Sequence, residues 1–294
     1  MLIVIADQME DEVVAEIRKL GKVEYKPADV KAALAGADVL IVRSATKVTK
    51  DLISGAGKLK IVARAGVGLD NVDQEACVEK GIKVVNTPGA STNAVAELAL
   101  GLMICGMRNV QRAHHQMKNK VWDKKNLLGS EIEGKTLGII GYGRIGAAVA
   151  RKAQALGMKI IAYNPPPRHE DSFVQFIDHL DAFLGHADVI TLHAALTEST
   201  KNIISQDNIA KMKDGVFIVN TARGEMVDED ALYDAVKSGK ASGAAIDVYR
   251  EEPYKGKLLE LENVYCTPHL GASSKEAQVR IGQELVKILK EEIK

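Results

Sequence analysis

Residues 135–165 read KTLGIIGYGRIGAAVARKAQALGMKIIAYNP. An apolar run at 136–140 leads straight into Gly141-Tyr142-Gly143-Arg144-Ile145-Gly146, and the Ala-rich stretch that follows repeats its apolar residues at helical spacing. Residues 158–163 supply a second apolar run. Strand, glycine turn, helix and strand in that order form a dinucleotide-binding pattern. Gly141 permits the tight turn, Gly143 lets the backbone approach a pyrophosphate, and Gly146 lets the helix lie close on the strand. The helix N-terminus then faces the phosphates. The alternative is an ordinary tight strand-to-helix turn, and the flanking strands weigh against it.

At 294 residues the chain has room for two domains, each with its own core. Lys plus Arg equals Asp plus Glu at 39 each, so no net charge draws it to nucleic acid or an anionic membrane, and a small-molecule partner is expected. Cys77, Cys105 and Cys266 are odd in number and far apart, which fits neither a disulfide framework nor a zinc site. They imply reduced thiols and a cytoplasmic location. Met1 leads directly into a strand-like run, so no signal peptide is expected. The longest apolar helix, 94–107, carries Glu97 and is too short to span a bilayer.

Strand patterns at 2–7, 22–25, 38–44, 60–65 and 82–86 alternate with helical patterns at 10–20, 28–35, 49–54 and 73–80. That alternation predicts an α/β, doubly wound parallel sheet, with ligands beyond the carboxyl ends of the strands. Those ends carry Arg43-Ser44-Ala45-Thr46-Lys47 and Arg64-Ala65-Gly66-Val67-Gly68. Lys47 reads equally well as a solvated loop residue. Arg43 does so less readily, because it ends an apolar strand where a charge needs a reason. Ser91 or Thr92 can cap the long helix that follows. Beyond Val110 the periodicity weakens through a polar, basic arm up to Glu133. Within it, His114 and His115 point to different sides of a helix and make poor joint metal ligands, so exposed surface is expected. Trp122 suits an anchor to a surface or partner subunit better than a substrate contact.

A second alternation starts at the glycine turn, with six strands at 136–140, 158–163, 187–193, 216–221, 243–248 and 264–266. The amphipathic stretch 274–294 is too detached from the last strand to be needed there, and is expected to return to the first domain. Beyond the ends of this second sheet stand Arg223 in NTARG, Glu252 in DVYREEP and His269 in TPHLG. Singly, each has an ordinary reading as surface charge, solvated acid or turn residue. Together they suit hydride transfer. An imidazole near neutral pH can take the hydroxyl proton as the carbonyl forms. A carboxylate beside an imidazole favours its charged form and fixes its tautomer. A guanidinium can hold a substrate carboxylate through two bonds. No metal is required, and no ligand cluster for one is evident.

GYGRIG, NTARG, DVYREEP and TPHLG together resemble the D-isomer-specific 2-hydroxyacid dehydrogenase family, over nearly the whole chain. Within it, VRSATKVT, ARAGVGLDNVD, NTPGASTNAVAEL and CTPHLGASSKEAQ are most similar to the branch that oxidises 3-phosphoglycerate on the phosphorylated route to L-serine. The resemblance implies a Rossmann cofactor domain (92–271) inserted into a discontinuous flavodoxin-like substrate domain (1–91 and 272–294), with the site in the cleft between them. It implies His269 as proton acceptor, Glu252 as its partner and Arg223 as ligand of the substrate carboxylate and carbonyl. Gly66 and Val67 would offer N–H groups to the carboxylate. Arg43, with Ser44 or Lys47 as further candidates, would face the phosphate. Arg144 and Ile145 would cover the pyrophosphate, with Gly141, Gly143 and Gly146 forming the turn. Thr221, Ala222, Arg223 and Asp247 would approach the nicotinamide. His269, Gly271 and Ala272 would close the cofactor cleft. A homodimer through the helix from Asn93 and the arm to Glu133 is implied too.

Three departures qualify the likeness. Asn164 stands where NAD-using relatives carry Asp, which weakens repulsion of a 2′-phosphate. Nearby Arg168 could pair with such a phosphate, although Pro165-Pro166-Pro167 stiffens the loop; NAD stays favoured, with NADP possible. His193-Ala194-Ala195-Leu196 replaces a proline-containing turn beside the adenine, so Ala195 is expected to loosen that turn. The sequence ends at Lys294, where longer members add a regulatory domain, so feedback by serine through such a domain is not expected. Two other readings stand beside the leading one: a glyoxylate or hydroxypyruvate reductase, and a non-catalytic, dinucleotide-sensing scaffold.

Overall fold

Val, Ile, Leu and Ala dominate the strand runs, and runs apolar on both faces suit parallel sheets covered on both sides. A computed structural model of the protein describes residues 1–166, 168–169 and 171–293. Pro167, part of the expected stiff loop, and Lys294, the last residue of the expected terminal helix, lie outside the described residues. The chain forms two compact units, Met1–Thr92 with the segment from Ala272 onward, and Asn93–Gly271.

In the first unit β1 (Leu2–Ile5), α1 (Asp11–Arg18), β2 (Lys22–Tyr25), α2 (Val30–Ala33), β3 (Val39–Val42), β4 (Ile61–Arg64), α3 (Gln74–Glu79) and β5 (Lys83–Asn86) follow in order. Their sheet is parallel with order β2-β1-β3-β4-β5, the flavodoxin-like winding. Successive β1 residues serve opposite faces: Ile3 and Ile5 join one core with Met9, Val13, Val14 and Ile17, while Val4 joins the other with Leu34, Leu40 and Ile53. The expected helix at 49–54 is instead a run of turns. Ile53 N–H reaches Thr49 O, but the next bond is the tighter Ser54 N–H to Asp51 O, and Gly55 and Gly57 follow, which disfavour continuation.

The second unit begins with α4 (Thr92–Met107) and α5 (Val110–Lys118), then β6 (Thr136–Ile140), α6 (Arg144–Ala155), β7 (Lys159–Tyr163), β8 (Val174–Phe176), α7 (Leu180–His186), β9 (Val189–Leu192), α8 (Gln206–Lys211), β10 (Val216–Asn220), α9 (Glu229–Ser238), β11 (Ala241–Ile246) and β12 (Val264–Cys266). The parallel sheet runs β12-β11-β10-β9-β6-β7-β8, a Rossmann order with one more strand than the six expected. The addition is β8, a three-residue edge strand paired to β7. A helix at Val110–Lys118, where periodicity had weakened, is the other difference: Val110, Ala113 and Met117 share one face of it, a short stripe set among polar residues, and none of its residues is buried. His114 and His115 are exposed on it. Among the described residues no helix is long and apolar enough to cross a membrane.

The final helix, α10 (Lys275–Glu292), starts at Ser274, whose side chain caps the Ala277 N–H. Ile281, Leu285, Val286 and Leu289 pack with Ile3, Ile5, Val13 and Val14 in the first unit's core.

Candidate active site

Arg223, Glu252 and His269 follow three neighbouring strands, β10, β11 and β12, whose carboxyl ends lie in register: Asn220 opposite Ile246, and Ile246 opposite Cys266. Two of the three loops are each fixed by a buried polar residue. The Asn220 side chain, fully buried, donates to Arg223 O at 2.8 Å and accepts Ala222 N–H at 3.0 Å, closing the turn that carries Arg223. Arg223 Nη1 donates to Ala222 O at 2.6 Å. Asp247, also fully buried, organises the third loop: its carboxylate accepts Thr267 Oγ1–H at 2.6 Å, Leu270 N–H at 2.7 Å and Gly271 N–H at 2.9 Å. Burial pushes its carboxyl up from the usual range, and those three bonds pull back toward the charged form. His269 N–H meanwhile reaches Asp247 O at 2.8 Å, which bends His269 into left-handed backbone with φ 55°.

Nδ1 of His269 lies 3.1 and 3.0 Å from Glu252 Oε1 and Oε2. Glu252 Oε1 also accepts the Tyr249 N–H at 3.2 Å. Tyr249 in turn donates its hydroxyl to Ile246 O and Thr267 O, tying the β11 and β12 loops together, and stacks on Tyr254 at 4.2 Å. With Nδ1 committed to the carboxylate, Nε2 is the nitrogen left for chemistry. Both side chains are partly exposed, as a group that exchanges protons with a ligand must be.

At the glycine turn, Gly141 has φ 93°, and a Cβ there would lie 2.3 Å from Ala194 N. Gly143 and Arg144 are exposed at the start of α6, and a Cβ on Gly143 would meet nothing within 4 Å, so this is the open side of the turn. A Cβ on Gly146 would meet Gly141 O at 2.2 Å, leaving only glycine there; Ile145 beside it is half-buried. Tyr142 anchors the turn outward, its hydroxyl donating to Asp171 at 2.6 Å and its ring meeting Phe176 of β8 edge-on.

A sequence model of the D-isomer specific 2-hydroxyacid dehydrogenase NAD-binding domain matches residues 100–271. The chain belongs to that family. It is 56% identical over 259 residues to hydroxypyruvate reductase of Thermotoga maritima, covering 86% of this chain and 84% of that protein. It is 46% identical over 303 residues to D-3-phosphoglycerate dehydrogenase of Methanocaldococcus jannaschii, which covers 99% of this chain but only 58% of the relative. Against the Aquifex aeolicus D-lactate dehydrogenase complexed with NAD and lactic acid, the TM-score is 0.88 at 31% identity, over 99% of this chain and 94% of the other.

In this dehydrogenase a dinucleotide fits the residues present. The open side of Gly143 is a cradle that a side chain would fill, and Thr221 Oγ1 is enclosed with no hydrogen-bond partner among the described residues. Asn164, expected to face the ribose, has both ends of its side chain engaged: its Oδ1 accepts the Tyr142 N–H at 2.8 Å, and its Nδ2 donates to Pro165 O. Arg168 pairs with Asp178, lies 4.5 Å over the Phe176 ring and donates to Asn164 O. Ala195 does not leave its turn untied: Thr200 Oγ1 donates to Ala195 O at 2.7 Å and accepts Thr197 N–H, in place of a proline.

Among the first unit's residues, Arg43 donates to Gln8 O at 3.0 Å and to Gln278 Oε1, while Ser44 and Lys47 are exposed. Gly66 O accepts the Thr87 N–H and Val67 O accepts from Asn86 Nδ2, which fixes the direction of that loop. The Arg64 guanidinium covers Gly66, where a Cβ would lie 2.4 Å from Nη1. The uses of Asn220, Asp247 and Arg64 were not foreseen. A polar residue closing an apolar strand was the available signal, since burial there demands partners.

His193 beside the glycine turn gives a pH prediction. Burial pulls its imidazole down to about 3, with Nε2 2.8 Å from Thr191 Oγ1. Below about pH 6.5 the unfolded chain takes up a proton that the folded chain refuses, so folding stability falls with acidification until about pH 3. The slope is about 1.4 kcal/mol per pH unit. Urea unfolding of His193→Asn between pH 7 and 4 is expected to show a flatter acid limb than wild type. An unchanged slope contradicts a neutral enclosed ring.

Proposed function

We propose that this chain oxidises D-3-phosphoglycerate to 3-phosphohydroxypyruvate with NAD, the first step of phosphorylated L-serine biosynthesis. The observation that carries the chemistry is the imidazole–carboxylate pair of His269 and Glu252 beside the Arg223 loop at one sheet's carboxyl edge. His269 Nε2 takes the hydroxyl proton, Glu252 holds Nδ1 and stabilises the imidazolium, and Arg223 binds the substrate carboxylate and polarises the forming carbonyl. Bound NAD supplies the hydride acceptor. Gly141, Gly143, Arg144, Ile145 and Gly146 hold its pyrophosphate, Asn164 faces its ribose, Thr221, Ala222 and Asp247 its nicotinamide end, and Gly271 and Ala272 the returning side. NAD over NADP is supported by the commitment of Arg168 to Asp178, which offsets the charge a 2′-phosphate would need.

The unit containing Met1–Thr92 is assigned to substrate binding, with Val67 offering its N–H to the carboxylate; the Gly66 N–H, expected beside it, donates instead to Arg64 O at 3.0 Å and joins only if that bond opens. Arg43, supported by Ser44, takes the phosphate. Its two partners, Gln8 O and Gln278 Oε1, are neutral acceptors, so they orient the guanidinium without cancelling its charge. Similarity to D-3-phosphoglycerate dehydrogenase over 99% of the chain supports the substrate. The second reading, a hydroxypyruvate or glyoxylate reductase, is favoured by the 56% identity to hydroxypyruvate reductase. Arg43→Ala separates them: KM for D-3-phosphoglycerate is expected to rise at least about 10-fold, the loss of one charge-assisted contact, with little change for unphosphorylated acids. Equal losses on both would count against the phosphate role.

A homodimer formed through α4, α5 and the arm is supported by apolar side chains left in water there: Val110, Met117, Trp122 at 81% exposure and Leu128 at 89%. Sedimentation is expected to show two chains per particle, and Trp122→Ala to weaken the association; a monomeric wild type would rule it out. Three cysteines without disulfides support a cytoplasmic location.

A further inference from the structure

The loop that carries Arg43 is held at both ends by two side chains. Asp7, just beyond β1, is 7% exposed, and a carboxylate so placed needs donors. It finds them in the next strand's loop: Oδ2 accepts Arg43 N–H at 2.6 Å and Thr46 N–H at 3.3 Å, and Oδ1 accepts Thr46 Oγ1–H at 2.6 Å. Asn71 completes the arrangement. Its Nδ2 donates to Arg43 O at 2.8 Å and to Thr46 O at 2.7 Å. The main-chain N–H and C=O of residues 43 and 46 are therefore all fixed, the donors by Asp7 and the acceptors by Asn71. Ser44 and Ala45 between them are exposed. The main chain that carries Asn71 is itself held, because its backbone carbonyl accepts Val48 N–H at 2.7 Å beside the Val48–Val72 bridge.

A surface loop can satisfy its backbone with water, and the fold does not require two side chains for this purpose. What the arrangement achieves is a single conformation of the exposed tip, so binding there loses little conformational freedom. We propose that Asp7 and Asn71 are positioning residues that hold the Arg43–Thr46 tip as the receptor for the substrate's distal anionic group. The proposal rests on the reading of this loop as substrate-binding, and the experiment separates the two.

Three variants probe the clamp. Asn71→Asp keeps the shape but turns an acceptor toward two carbonyl oxygens. Thr46→Val removes the hydroxyl donor to Asp7, and Thr46→Ser restores it. KM and kcat are measured with D-3-phosphoglycerate and, in reverse, with hydroxypyruvate, alongside KM for the nucleotide, Tm and the variant Arg43→Ala. Asn71→Asp and Thr46→Val are expected to raise the KM for D-3-phosphoglycerate about 10-fold and to leave that for hydroxypyruvate, which has no distal anionic group, within about twofold. Nucleotide KM and saturating kcat stay within about twofold, and Thr46→Ser retains the wild-type KM. Unchanged substrate KM in folded Asn71→Asp and Thr46→Val overturns the clamp, even where Arg43→Ala raises KM. Parallel loss of Tm, kcat and both KM values overturns it too, by showing a purely structural role. Raised KM in the clamp variants with none in Arg43→Ala keeps the clamp and removes the assignment of Arg43. Absence of wild-type turnover on D-3-phosphoglycerate removes that substrate and overturns the receptor role with it, because hydroxypyruvate carries no distal anionic group for the tip to hold.

Discussion

Replacing His269 with Asn is expected to lower kcat for 2-hydroxy acid oxidation by about 10²- to 10⁴-fold, the usual contribution of a positioned general base. Asn is the informative choice because residue 269 has φ 55°, a backbone region that Asn tolerates better than most side chains. The loop wound on Asp247 through Leu270 and Gly271 N–H should therefore survive, and Tm should stay close to wild type. A group that cannot take a proton then stands where the imidazole met Glu252. Stopped-time measurement of reduced nicotinamide at saturating substrate checks it. Wild-type turnover in a folded His269→Asn would remove the proton-transfer role.

The second large effect lies one residue from Arg223. A Cβ on Gly224 would come within 1.9 Å of Tyr249 C, 2.2 Å of Tyr249 O and 2.3 Å of Arg250 N. All three are main-chain atoms, so no side-chain rotation relieves the clash, and two loops must separate. One holds Arg223; the other holds Tyr249, whose N–H fixes Glu252. Gly224→Ala is expected to cost about 1–3 kcal/mol or more in stability, as overpacking does. Moving both loops by about 1 Å should lower kcat/KM at least about 100-fold. Thermal unfolding and steady-state kinetics of the variant test this, and wild-type values in both would show that the contact has no bearing on the site.

Which features were legible in the chain follows from the range of their interactions. The five strands of the first unit and the glycine turn announce themselves locally, through apolar runs and fixed spacing. β8 did not, because three residues at a sheet edge carry no measurable period. Nor did α5, whose apolar residues, Val110, Ala113 and Met117, are too few among polar neighbours to declare a helix. The turns after Thr49 show the reverse error: one turn of helical pattern precedes Gly55 and Gly57, and nothing propagates it. At the site, Arg223, Glu252 and His269 stood out as ionisable groups beyond strand ends. Asn220 was missed although its partners lie only two and three positions on, and Asp247 was named through the resemblance alone; Asp7 and Asn71 did not stand out, since their partners lie far along the chain, such as Arg43, 36 positions beyond Asp7. Sequence spacing carries no trace of such contacts.

The most direct test is a nucleotide-reduction assay on the purified wild-type chain. It follows reduced nicotinamide with D-3-phosphoglycerate, D-lactate and D-glycerate, each with NAD and with NADP. Turnover of D-3-phosphoglycerate with NAD at the highest kcat/KM, abolished in His269→Asn, is the predicted result. Nucleotide binding without reduction on any 2-hydroxy acid, and without oxidation of reduced nucleotide by hydroxypyruvate or glyoxylate, would contradict it and leave a dinucleotide-sensing scaffold.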